Sequence, residues 1–147
     1  MAITNSSLIY PMFAMFLLTL IVLLRMFTLR VAALKSGQVR MSYFRVMPGE
    51  IQAPEKMLQA SRHFSNIFEA PVLFYVVCIL GILFSEGTIF SVLAWVYVFS
   101  RVFHAYIHMG KNNVMHRMRA YFLGWMALTA MWILLVVHQL MPMNPQI

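Results

Sequence analysis

Apolar residues fall in long runs along this chain, and polar residues gather between them. Four windows, residues 8–29, 64–84, 89–109 and 120–141, each carry about the 20 predominantly apolar residues a helix needs to cross a bilayer core. Stretches such as 14–24 and 72–84 show no alternation of apolar and polar positions, which excludes the tilted, alternating strands of a membrane barrel. The pattern predicts an all-α integral membrane protein: a four-transmembrane-helix bundle built by residues 1–147 as one domain. The first span is expected to stay in the mature protein. No basic residue precedes it, its apolar run is too long for a cleaved signal, and basic residues follow it. One long connection, about residues 30–62, carries turn signals at Ser36-Gly37 and Pro48-Gly49, then Pro54 ahead of a short amphipathic stretch. Long loops are often functional, and this one is expected to cover one mouth of the bundle. No internal repeat or low-complexity segment interrupts the chain.

Composition makes lipid the solvent. Hydrophobic residues are 62% and charged residues 10% of the chain, against about 45–50% and about 25% in soluble domains. A soluble enzyme, a disordered chain and a disulfide-built secreted domain are thereby excluded, Cys78 being the single cysteine. The net charge of +7 does not point to nucleic acid, because too few polar residues remain to build a soluble basic scaffold. It encodes topology instead. All 11 Lys and Arg residues lie between Arg25 and Arg62 or between Arg101 and Arg119. The N-terminus, the Ser85–Thr88 turn and the 142–147 tail carry none. The positive-inside rule therefore places the first and third connections in the cytoplasm and both termini on the non-cytoplasmic side. The host membrane would be the inner membrane in a bacterium or the endoplasmic reticulum in a eukaryote. Anionic lipid headgroups are the expected partners of the basic side. Asn5-Ser6-Ser7 matches a glycosylation acceptor but sits too close to the membrane to carry weight.

Polar residues inside the spans narrow the chemistry, since each charge there costs about 2.5–3.5 kcal/mol on insertion scales. Arg62, Asn66 and Glu69 stand at i, i+4 and i+7, one stripe of a helix. Arg101, His104 and His108 stand at i, i+3 and i+7, again one stripe. At 1.5 Å per residue, Glu69 and Arg101 lie ~10 and ~12 Å inside the same membrane face, so an ion pair between them is expected. The competing reading makes these groups interhelical glue. Pro71 removes a backbone hydrogen bond near Ile67 and is expected to bend or open the helix there. Arg117 and Tyr121, four apart, add a cation and a phenol, although an arginine at a helix end also serves as a headgroup anchor. With Arg40, this set is placed to converge on one pocket suited to a small, flexible anion with several carboxylates. His104 and His108 with Glu69 as a metal site is the weaker alternative, unsupported by an HExxH motif or a cysteine pair, and no metal is expected. A transporter with Glu69 as a proton-coupling carboxylate is a further alternative, contradicted if Glu69 pairs with Arg101. Cys78 reads as inert packing, Trp95, Trp125 and Trp132 as anchors or packing, and His138 as interfacial.

Three segments then carry a family likeness: Gly37-Gln38-Val39-Arg40; Arg62-x-x-x-Asn66-x-x-Glu69 with Pro71; and Arg101-Val102-x-His104-x-x-x-His108-x-Gly110-Lys111 followed by Arg117 and Tyr121. In these, and over essentially its whole length, the chain resembles the MAPEG family, membrane-associated proteins of eicosanoid and glutathione metabolism, including microsomal glutathione transferase and prostaglandin E synthase types. The resemblance implies a homotrimer with glutathione, as co-substrate, bound between neighbouring subunits near the cytoplasmic side. Carried over, Arg117 would stabilise the glutathione thiolate with Tyr121 beside it. Arg40, Arg62, Asn66, Glu69, His104 and His108 would hold the peptide, and Arg101 would frame the pocket. The implied activity is a glutathione-dependent transferase or peroxidase acting on lipophilic electrophiles that arrive through the bilayer. The alternative is a non-catalytic lipid-binding or scaffold member. The chain departs from the family's catalytic pattern at Ser65, where a second Arg is frequent, at Met118, where a hydroxyl is frequent, and at His108, commonly Tyr.

Overall fold

The computed structural model describes residues 6–45, 53–84, 86–110 and 112–141. The expected Pro48-Gly49 turn, Asn5, Ser85, Lys111 and the 142–147 tail lie outside the described residues. The described chain is helical: a short 3-10 turn at Ser6–Leu8 leads into α1 (Ile9–Lys35), then come α2 (Glu55–Ile67), α3 (Ala70–Leu83), α4 (Thr88–Met109) and α5 (Val114–Leu140). Four segments are long and apolar enough to cross a membrane: Ile9–Lys35, Glu55–Leu83, Thr88–Met109 and Val114–Leu140. The protein is a four-helix membrane bundle, as the apolar windows predict.

Burial along α1 shows why lipid is the right solvent. Pro11, Met15, Leu18, Val22 and Met26 form one inward stripe, while Phe13, Ile21, Leu24 and Phe27 on the other faces remain 54–61% exposed. In water such a face would be a liability, whereas lipid tails accept it at no cost and every mid-helix backbone group is satisfied within its own helix. α4 and α5 make the closest helix pair, and α1 lies against α2 and α4. Small residues permit the α4–α5 approach: Ala94 and Ala105 on α4, and Ala120, Gly124 and Ala127 on α5, are all buried.

Several boundaries differ from the sequence reading: α1 runs six residues past the expected 29, to Lys35, and α2 starts at Glu55, inside the expected 30–62 connection. The second span is not one helix. Phe68 N–H bonds to Ser65 O at 3.0 Å and Glu69 N–H to Asn66 O at 3.4 Å, tightening the end of α2, and α3 restarts at Ala70 with Pro71 in its first turn. Proline lacks the N–H that a continuous helix would direct at Ile67 and is well tolerated at a helix start, so the break falls where Pro71 predicts a disturbance. The fourth span, α5, starts at Val114, six residues before the expected 120, because the Asn113 side chain accepts hydrogen bonds from the Met115 and His116 N–H groups at 3.1 and 3.3 Å. That is an N-cap, satisfying two otherwise orphaned donors.

The expected Ser36-Gly37 turn is present, and it is there that α1 ends and the connection begins. Gly37, with φ +72°, follows the Ser36 cap and lets Val39 N–H return to Ala33 O at 3.3 Å, the left-handed helix stop that glycine favours. Val39 is thereby buried against Ala33 and Met57, fastening the start of the connection over the α1–α2 junction.

At the opposite end, Glu86 is buried in the turn between α3 and α4, and its Oε2 lies 2.8 Å from Nδ1 of His138. His138, expected to be interfacial, tethers the last turn of α5 to that turn. Its side chain is 54% exposed, so solvent screening limits the bond: His138→Ala is expected to cost about 1 kcal/mol. Thermal unfolding in detergent checks this, with an expected drop of roughly 2–4 °C.

Candidate functional site

Seven of the nine predicted residues meet where the C-terminal ends of α1 and α4 approach α2 and the start of α5. A helix leaves its last carbonyls without intrahelical partners, and here side chains from two other helices take them. Arg25 Nη2 of α1 donates to Met109 O at 2.9 Å, and Gln59 Nε2 of α2 donates to His108 O. The Asn112 N–H returns to Ile107 O at 3.0 Å. These contacts fix the end of α4 and with it the side chains on its inner stripe.

Arg101, His104 and His108 are all buried, as their spacing requires. Arg101 does not find a carboxylate. Its guanidinium lies 4.9 Å from the Tyr97 ring centroid and 4.7 Å from that of Tyr121, and Tyr97 in turn stacks on Phe74 at 4.4 Å. Desolvated cation–π contacts of this kind are worth about 2 kcal/mol or more. Among the described residues, Nε and Nη2 of Arg101 have no hydrogen-bond partner.

The expected Glu69–Arg101 ion pair is therefore corrected: among the described residues, no salt bridge joins them, and Glu69 is exposed. The reason is the α2–α3 break. A stripe at i, i+4 and i+7 assumes one continuous helix, and the backbone leaves helical geometry at Glu69 (φ −88°, ψ −89°). Glu69 consequently parts from Arg62 and Asn66.

Arg62, Asn66, His108 and Arg117 do converge, lining one open cavity of about 460 Å³ together with Ser65 and Asn112. That volume falls within the roughly 300–1,000 Å³ of small-molecule sites. Glu55 contributes a carboxylate to the same rim. His104 and Tyr121 lie beneath this cavity rather than on its wall, with ring centroids 5.7 Å apart. His104 joins the site indirectly, since its Nδ1 is 3.1 Å from Arg117 O. Arg40 is exposed at the start of the 3-10 turn Met41–Phe44 and does not line the cavity. The nine predicted residues thus divide into four on the cavity wall, three beside it (Arg101 and His104 buried, Tyr121 half-buried), and two, Arg40 and Glu69, outside it.

Two residues escaped the sequence reading. His63, buried on α2, stacks on His108 with ring centroids 4.6 Å apart and planes at 9°. Its neighbours Arg62 and Asn66 define a different face of α2, and a contact between helices leaves no periodicity in either one. Asn112 precedes the α5 cap and reads as loop, yet its Oδ1 accepts from Arg117 Nη1 at 2.6 Å. Among the described residues, no three His, Cys, Asp or Glu side chains are arranged to hold a metal ion.

The arrangement offers two cations, one carboxylate and three amides (Gln59, Asn66 and Asn112) around a cavity at the basic end of a membrane bundle. Compared with known proteins, the chain matches the family model described as MAPEG family over residues 8–137. No curated protein and no solved structure matches it.

Proposed function

The chain belongs to the MAPEG family, and on that premise we propose that it is a glutathione-dependent transferase or peroxidase acting on lipophilic electrophiles within the membrane. The observation that carries this reading is the convergence of Arg62, Asn66, His108 and Arg117 on one cavity. The donor set suits the tripeptide. Arg62 offers a paired-donor site for a carboxylate, Glu55 faces an ammonium group with the opposite charge, and the Asn66 and Asn112 amides match peptide groups. Bound glutathione would supply the sulfur nucleophile, attacking an electrophilic carbon or a hydroperoxide oxygen.

Arg117 has the central role. A thiol with pKa near 8.5 is mostly protonated at neutral pH, and a neighbouring cation shifts it toward the reactive thiolate. An arginine does this without being able to lose its own proton, so the proton released by the thiol passes to solvent at the open cavity mouth. Arg101, His104 and Tyr121 would support the wall from beneath, His104 through the Arg117 carbonyl. In a homotrimer with sites between neighbouring subunits, the exposed Arg40 and Glu69 would be left to contribute across the boundary. The basic end, carrying the cavity, would face the cytoplasm.

The test is an ultraviolet difference titration of the detergent-solubilised protein with glutathione, because thiolate absorbs where thiol does not. A saturable thiolate band is expected. Saturable binding without the band would instead mark a disabled site, for which Ser65 on the cavity wall and the outward, exposed Met118 are the supporting observations, and the lack of both would favour the non-catalytic lipid-binding reading. Absence of saturable glutathione binding would sink the proposal.

A further inference from the structure

Arg117 sits in the fourth position of α5, counting from Val114. Helical side chains tilt toward the N-terminus of their own helix, so the Arg117 side chain folds back over the turn that precedes α5. What it meets there is Asn112, five residues earlier, at 2.6 Å from Nη1 to Oδ1. Both residues line the cavity. The contact is local to the turn but lies outside helical periodicity, because the Asn113 cap stands between the two residues.

Asn112 meets two separate demands. Its backbone is left-handed, with φ 51°, the single non-glycine residue in that region among the described residues. Asparagine tolerates this conformation better than most residues do, and glycine would meet the backbone demand equally well. The second demand is for a neutral acceptor oxygen aimed at the guanidinium, which glycine lacks. A carboxylate would accept the same hydrogen bond but would neutralise the cation that an anionic sulfur needs. An amide holds Arg117 while leaving its full charge available. Meanwhile the Arg117 carbonyl is met by His104 Nδ1 at 3.1 Å, and its N–H bonds to Asn113 O at 3.0 Å, so the residue is fixed at both backbone and head.

We infer that Asn112 is the positioning residue for Arg117: its side-chain oxygen fixes the guanidinium at the cavity wall, where it selects an anionic sulfur over a neutral one. This rests on the glutathione reading above and deepens it by assigning a residue outside the predicted set. Asn112 acts through Arg117, not on the sulfur.

The informative variant is Asn112→Gly, which keeps the left-handed backbone and removes only the amide. Three quantities are measured on the solubilised full-length protein: affinity for glutathione sulfonate (a permanently anionic sulfur), affinity for S-methylglutathione (a neutral one), and the thermal midpoint. Loss of a charge-assisted hydrogen bond predicts sulfonate binding weakened about tenfold. S-methylglutathione affinity should stay within about twofold, and the midpoint should fall by no more than the few degrees that the loss of one hydrogen bond brings. In the difference titration, the thiolate band at saturating glutathione should fall in parallel with sulfonate affinity. Equal weakening of both ligands would overturn the inference and leave Asn112 a turn residue only. Unchanged sulfonate affinity would overturn it as well, with the glutathione reading left standing. If the wild-type protein binds neither ligand, the glutathione reading itself fails, and the assignment of Asn112 falls with it.

Discussion

Replacing Arg117 with alanine is expected to lower turnover with any lipophilic electrophile by at least about 100-fold, while glutathione still binds. The size follows from removing a fixed charge aimed at a reacting anion, which typically costs about 10²–10³ in rate. The selectivity follows from the cavity. Arg62, Asn66 and His108 lie on its wall independently of Arg117, so the peptide keeps much of its hold while the sulfur loses its cation. Arg117→Lys should fall between the two: it retains charge, but a compact ammonium cannot reproduce the planar fork that reaches both Asn112 and a ligand. Steady-state rates beside the ultraviolet titration check this directly. Equal turnover in wild type and Arg117→Ala would remove Arg117 from the chemistry.

The second large effect is on folding. Gly124 of α5 packs so closely on α4 that a Cβ there would lie 2.5 Å from Ser100 Oγ and 3.0 Å from Arg101 Nε. Neither neighbour can yield cheaply. Ser100 Oγ donates to Tyr97 O at 2.6 Å, and Arg101 is clamped between two tyrosine rings. Gly124→Ala is therefore expected to destabilise the bundle by about 1–3 kcal/mol, and Gly124→Leu by more. At this chain length, each kcal/mol moves the thermal midpoint by roughly 2–4 °C. Gly87→Ala is the matched control, since no heavy atom would lie within 4 Å of a Cβ there. A Gly124→Ala midpoint equal to that of Gly87→Ala would show that the α4–α5 approach relaxes freely.

The four spans are legible because lipid imposes one requirement on every outward face, and sustained apolar runs are its direct imprint. The α4 stripe of Arg101, His104 and His108 is legible for a related reason: an unbroken helix converts spacing into direction. Glu69 marks where that logic stops. The residues of its stripe are correctly spaced, but Pro71 ends the helix between them, and Pro71 alone does not say how far the chain turns before α3 resumes. The start of α5 was readable from Asn113, a strong cap residue, yet the polar stretch from Asn113 to Arg119 resembles loop when judged by hydropathy. His63 and Asn112 were hidden by the same limit. Each is defined by a partner on another helix or across a turn, and one-dimensional periodicity holds no record of either.

Cys78 has a use beyond packing. It is fully buried in the apolar core at 0% exposure, and it is the only cysteine in the chain. Thiol-directed spin labels and fluorophores supplied in water should pass it by, so the native sequence already behaves as a cysteine-free background. One cysteine placed at exposed Met118 would then be the sole labelling site beside the cavity. Distances between labels on separate copies could report how the chains assemble, without altering any residue assigned to ligand binding.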